Sequence, residues 1–169
     1  KDNILIFPPT YGMYKVVADL NAVNVKAIEL DADFQIDVNQ AVKTIDAHTK
    51  LIFVCSPNNP SGNTMNRENL VRLLNEFDGL GVVDEAYQDF SNEASFLNEL
   101  EDYENLVVMQ TFSKAMGLAG ARLGMCFANP KLIKYLNRIK PPYNVNTLTQ
   151  RAALDSLNHH TETKIQVKE

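Results

Sequence analysis

The sequence predicts an α/β fold, a three-layer α/β/α sandwich around a mostly parallel sheet, and three observations carry that expectation. Six short apolar runs recur along the 169 residues. Several are unbroken rather than alternating, which suits strands buried on both faces of a sheet. Helical patterns separate the runs, and alternating strand and helix places helices on both sides of one sheet.

Taken in order, the first run is Ile4–Phe7 and the second Val25–Leu30. The third is Leu51–Cys55, closed by a loop rich in proline and glycine. Behind it, Leu70, Leu73, Leu74 and Phe77 follow the i, i+3, i+4, i+7 spacing of a helix face. Asn66 is placed to cap that helix and Gly79 to close it. The fourth and fifth runs are Gly81–Asp84 and Leu106–Gln110. The sixth is Leu123–Ala128, followed by Asn129-Pro130, an N-cap with proline at the first helical position. Leu132, Leu136 and Ile139 would form the buried face of that helix. The link between the last two runs carries chemistry rather than a long amphipathic helix. A parallel crossover needs about a dozen residues or more, so the last strand is expected to run antiparallel.

Composition narrows the function classes. Hydrophobic residues make up 45% and charged residues 22%, ordinary for a globular domain. A net charge of −5 gives no footprint for nucleic acid, and no Lys or Arg cluster suggests a membrane surface. No apolar run approaches the ~20 residues of a membrane helix. Cys55 and Cys126 form no CxxC and no disulfide framework, which fits a reducing cytoplasm. His48, His159 and His160 lack ligand-like spacing and read as surface residues; no zinc pattern, P-loop or GxSxG occurs, so no metal is expected. Gly117, Gly120 and Gly124 do not make a GxGxxG, which leaves a dinucleotide-binding domain a poor option. The chain begins at Lys1, enters an apolar run within three residues and ends in a polar stretch without an evident stop. A piece of a longer protein is expected.

Ligands of open α/β sheets bind outside the carboxyl ends of the strands. Four runs are followed there by polar or aromatic punctuation: Pro8-Pro9-Thr10-Tyr11-Gly12, Ser56 to Gly62, Asp84-Glu85-Ala86-Tyr87 and Thr111-Phe112-Ser113-Lys114. Lys114 stands among small hydroxyls, with Arg122 eight positions on. An amine held beside a phosphate suggests an aldehyde cofactor that lysine captures covalently, and together these features point to pyridoxal 5'-phosphate.

Each residue also has a plainer reading. Asp84 is either a solvated strand-end carboxylate or a buried anion against a pyridine nitrogen. Glu85, its neighbour, should point the other way. Asn59 is a turn residue or an amide donor to the cofactor's phenolic oxygen. Tyr87 is a second such donor or core packing. Thr111, Ser113 and Arg122 form a phosphate cup, or the hydroxyls cap a helix start. Arg122 stands in a weakly polar stretch, where an arginine without a partner anion would be costly, and this favours a ligand role. Tyr11 stacks on a ring, or joins Phe7 and Tyr14 in the core.

The order Pro9-x-Tyr11, Asn59-Pro60-Ser61-Gly62, Asp84-x-Ala86-Tyr87, Ser113-Lys114 and Arg122 resembles the fold-type-I, class I and II aminotransferases. Pro8 to Tyr14, Cys55 to Gly62 and Pro142-Tyr143-Asn144-Val145-Asn146 narrow the likeness to the histidinol-phosphate aminotransferase group. The resemblance implies a catalytic Lys114 that holds the cofactor and shuttles a proton between substrate and cofactor. It implies Asp84 at the pyridine nitrogen, Asn59 and Tyr87 at the phenolic oxygen, and Tyr11 over the ring. Thr111, Ser113 and Arg122 would bind the phosphate. It further implies transamination between a small-molecule amino donor, histidinol phosphate, and 2-oxoglutarate, in a cytoplasmic homodimer. Threonine-phosphate decarboxylase and other amino-acid aminotransferases are the rivals. Residues 1–145 would be the central part of the cofactor-binding large domain, and 146–169 a helix leading toward a C-terminal small domain outside the chain. One edge strand of the family's sheet, a glycine-containing phosphate loop and the arginine for the substrate carboxylate would also lie outside. The isolated chain is therefore expected to be nearly inactive.

Overall fold

The computed structural model describes residues 1–159 and, beyond them, Thr161, Thr163, Ile165 and Val167. Each apolar run becomes a strand: β1 (Asn3–Ile6), β2 (Asn24–Ala27), β3 (Thr49–Cys55), β4 (Leu80–Asp84), β5 (Leu106–Thr111) and β6 (Gly124–Ala128). They form one sheet in the order β2-β1-β3-β4-β5-β6. Every neighbouring pair is parallel except β5 and β6, which run antiparallel with Met109 opposite Cys126 and Thr111 opposite Gly124. The second run is shorter as a strand than as an apolar stretch. Past Ala27, Ile28 and Leu30 stay buried, and their N–H groups still donate to the Ile6 and Pro8 carbonyls at 3.1 and 2.7 Å.

Among the described residues, five α-helices complete the layers: α1 (Met13–Leu20), α2 (Val38–Thr44), α3 (Arg67–Asn75), α4 (Pro130–Ile139) and α5 (Thr147–Asn158). Short polar side chains cap four of them. Asp37, Asn66, Asn129 and Asn146 each accept a hydrogen bond from a backbone N–H of the first turn, at 2.9 to 3.0 Å. Within the stretch 146–169, α5 runs from Thr147 to Asn158, and most of the positions after His159, His160 among them, lie outside the described residues.

Side-chain parity along the strands divides the core. Leu5, Phe7, Ile52, Val54, Val83, Leu106 and Val108 face α2 and α3 in one large cluster. On the opposite face Ile4, Ile6 and Cys55 meet Tyr14 and Ala18 of α1 in a smaller cluster, flanked by the half-buried Val23, Val25, Leu51 and Phe53. The loops after β1 and β3, adjacent strands whose following helices lie on opposite faces, open a crevice at the carboxyl edge.

Two expectations need correction. Gly79 does not close α3, which ends at Asn75 with Glu76 as its cap. Glycine is required there by close approach: a Cβ would collide with the Phe77 ring and sit 2.7 Å from the Lys50 carbonyl oxygen. The apolar face of α4 is also not buried, because no residue of that helix is buried and Ile139 is 79% exposed. The spacing of Leu132, Leu136 and Ile139 made the helix without supplying a surface to cover it.

Candidate active site

The sheet's carboxyl edge brings four loops together. Asn58, only 3% exposed, ties two of them. Its amide donates to the Pro9 carbonyl at 2.9 Å and to Ser61 Oγ at 2.7 Å, and its carbonyl oxygen accepts from Thr10 Oγ1 at 3.0 Å. Sequence reasoning passed over this residue, because an asparagine in a Pro- and Gly-rich turn looks like local turn chemistry.

A cavity of about 530 Å³ opens beside these loops. Tyr11, Asn59, Asp84, Tyr87, Thr111, Ser113, Lys114 and Arg122 all line it, together with Cys55 and Cys126. All eight candidate cofactor-site residues therefore reach one place, though the loops that carry them span more than a hundred positions.

Asp84 ends β4 and is 8% exposed, so it is not a solvated strand end. Its Oδ2 accepts from the Tyr14 hydroxyl at 2.7 Å and its Oδ1 from the Ala86 N–H at 3.1 Å. Tyr14 belongs to the sparse core. Its ring stacks on Phe53 with centroids 4.8 Å apart, and Tyr11 meets it edge-on at 5.5 Å. Burial first, then the Asp84 charge, pushes the Tyr14 hydroxyl far above its ordinary range and keeps it a donor. Burial likewise pushes the Cys55 thiol up to about 11. Glu85 turns away, as strand alternation requires. It accepts from Ser95 Oγ, the Phe96 N–H and the Gln110 side-chain amide at 2.6 to 2.9 Å. That carboxylate anchors the loop after Tyr87 to β5 and takes no part in the cavity's lining.

Asn59 Nδ2 donates to Tyr87 Oη at 3.2 Å, so the two are neighbours rather than separate turn and core residues. Lys114 Nζ lies 5.1 Å from the centroid of the Tyr87 ring, within cation–π range. Among the described residues it makes no hydrogen bond or ion pair. Thr111 Oγ1 donates to the Leu123 carbonyl at 3.2 Å and accepts from the Ser113 N–H at 3.0 Å. The capping alternative for Ser113 fails, since a tight turn follows it instead of an α-helix.

Arg122 differs from expectation. It is exposed, so burial costs it nothing, and its Nη1 donates to the Ala119 carbonyl at 2.8 Å. Its backbone is instead unusual, with φ +54° in the left-handed region that favours glycine. Such outliers persist where the surroundings over-determine them and concentrate at binding sites. The described residues contain no cluster of three or more metal-ligating side chains, and no helix among them is long and apolar enough to cross a membrane.

The histidinol-phosphate aminotransferase of Flavobacterium johnsoniae is 55% identical over 157 residues, which cover 93% of this chain and 45% of that protein. Among solved structures, the histidinol-phosphate aminotransferase from Clostridium acetobutylicum superposes with a TM-score of 0.89 at 26% identity. That match covers 98% of this chain and 51% of the other. The L-threonine-O-3-phosphate decarboxylase from Porphyromonas gingivalis follows at 0.82, also 26% identical, covering 99% and 50%. The chain spans about half the length of the curated relatives it matches. The family model for aminotransferase class I and II matches residues 1–169, and the chain belongs to that family.

Proposed function

We propose that the whole protein carries out pyridoxal-phosphate-dependent transamination of histidinol phosphate with 2-oxoglutarate. The observation that carries the reading is the single cavity in which a buried carboxylate, an amine without a hydrogen-bonding partner, two hydroxyls and a guanidinium meet. Those groups complement a protonated pyridine nitrogen, an aldehyde and a phosphate, so the residues present fit the cofactor. The high identity to curated histidinol-phosphate aminotransferases supports the choice of amino donor.

When bound, pyridoxal phosphate supplies an electron sink for negative charge at the substrate carbon. The chain's residues do the rest. Asp84, held by two donors, would keep its carboxylate against the ring nitrogen. Asn59 and Tyr87, already within 3.2 Å of each other, would donate to the phenolic oxygen. Thr111, Ser113 and Arg122 would hold the phosphate, the guanidinium through paired N–H donors. Tyr11 would cover the ring and exclude water from one face. Lys114 would be the attachment point for the aldehyde carbon, and its Nζ would then carry the proton away from and back to the substrate carbon. A cytoplasmic homodimer is proposed on family resemblance.

The test is an assay of the whole protein, of which this chain is the matched half, with histidinol phosphate and 2-oxoglutarate, following glutamate. We expect turnover that falls by about 10⁴-fold in Lys114→Ala, the loss of both attachment and proton transfer. Release of carbon dioxide from threonine phosphate, with no glutamate formed from histidinol phosphate, would contradict the substrate assignment and favour the decarboxylase.

A further inference from the structure

We propose that Tyr14 is a positioning residue that fixes the Asp84 carboxylate for the cofactor's ring nitrogen, an inference that rests on reading the cavity as a pyridoxal phosphate site. The hydroxyl donates to Asp84 Oδ2 at 2.7 Å from 70 positions away. On the other oxygen the donor is the Ala86 N–H, at 3.1 Å. One donor on each oxygen holds the carboxylate plane against rotation. Each oxygen keeps a further lone pair, so the group remains an acceptor toward the cavity it lines. Remove the hydroxyl and only Ala86 restrains the plane.

Packing alone does not explain a tyrosine here. Its ring is 6% exposed and stacked on Phe53, a place that phenylalanine would fill without burying an oxygen. A buried hydroxyl needs a partner, and the partner provided is the one carboxylate on the cavity wall. The phenol stays protonated because burial and the neighbouring charge disfavour its anion, so it acts as a donor throughout the neutral range. Tyr11 meets the same ring edge-on at 5.5 Å. A single side chain therefore steadies both the residue proposed to cover the cofactor and the one proposed to meet its nitrogen.

The experiment compares two ligands on the unsubstituted protein and on Tyr14→Phe: pyridoxal phosphate, and its analogue with carbon in place of the ring nitrogen. Dissociation constants are measured by equilibrium dialysis. Tyr14→Phe should weaken pyridoxal phosphate binding about tenfold, the usual worth of a hydrogen bond to a charged group, and change analogue binding by less than about twofold. Equal weakening of both ligands would show a merely structural role and overturn the inference, as would an unchanged affinity for pyridoxal phosphate. No binding of pyridoxal phosphate by the unsubstituted protein would instead refute the cavity's reading itself, and the inference with it. If Tyr14→Phe does not fold, Phe53→Leu carries the same test. It loosens the ring beneath Tyr14 but keeps the hydroxyl, and should likewise weaken pyridoxal phosphate selectively.

Discussion

The two faces of the sheet are packed to different ends. Toward α2 and α3, Leu5, Ile52, Leu106 and Val108 are all but sealed in a cluster that also takes in Phe77 and Phe96. Toward α1 only a thin core forms around Tyr14, Ala18 and Cys55, and the cavity occupies the space beside it. Asp84 and Glu85 show the division at a single peptide. Asp84 lines the cavity and accepts from Tyr14, whereas Glu85 is spent on Ser95, Phe96 and Gln110. Strand alternation sends Glu85 into hydrogen bonds on the packed face and Asp84 to the cavity wall.

That division is open to attack from both sides. Leu106→Ala empties a fully buried position on the dense face and should cost about 2–5 kcal/mol by urea denaturation. Its cofactor affinity below the unfolding range should be unchanged. Asp84→Asn reverses the pattern. Losing the charge proposed to face the ring nitrogen should weaken pyridoxal phosphate binding by about 100-fold while shifting stability far less, as hydrogen bonding from Ala86 survives. A cofactor loss in the first variant equal to that in the second would erase the distinction.

The sparse face also has its own pH signature. Cys55, pushed from 9.0 up to about 11, stays protonated in the folded chain over a range where the unfolded chain releases its proton. The folded state then binds more protons, so stability falls as pH rises. The contribution is intact below about pH 9 and lost between pH 9 and 11, a loss on the order of 3 kcal/mol. Tyr14, raised from 10.0, adds a fall of the same sign that begins higher. Urea midpoints at pH 8 and pH 10.5 measure the slope, and Cys55→Ala should flatten it. The smallest effect belongs to the dense side: Asn66→Ala removes the cap of α3 and should cost about 1 kcal/mol, with no change in ligand binding.

What was legible in the sequence follows the same line. Unbroken runs such as Leu51–Cys55 marked the strands, and local cap signals at Asn66 and Asn129 marked helix starts, because both depend on near neighbours. The antiparallel β6 was legible because no long helix separates it from β5. The eight cavity residues were legible as candidates through motif order, since all but Arg122 sit at or soon after the carboxyl end of a strand. Contacts between distant segments were not. Tyr14 finds Asp84, and Asn58 finds Pro9, across separations of 70 and 49 residues that no local pattern encodes. Gly79 was misread for the same reason, since the obstacle to a side chain there includes the backbone of Lys50. The exposure of Arg122 and of Ile139 depends on what surrounds them, which spacing does not record.

The central claim is that the sparse face holds pyridoxal phosphate through Lys114. Its most direct test is to mix the protein with pyridoxal phosphate, reduce with borohydride and map the adduct by peptide mass spectrometry. A single adduct on Lys114, absent from Lys114→Ala, is the result expected. Labelling scattered over exposed lysines such as Lys15 and Lys131, with none concentrated at Lys114, would contradict it.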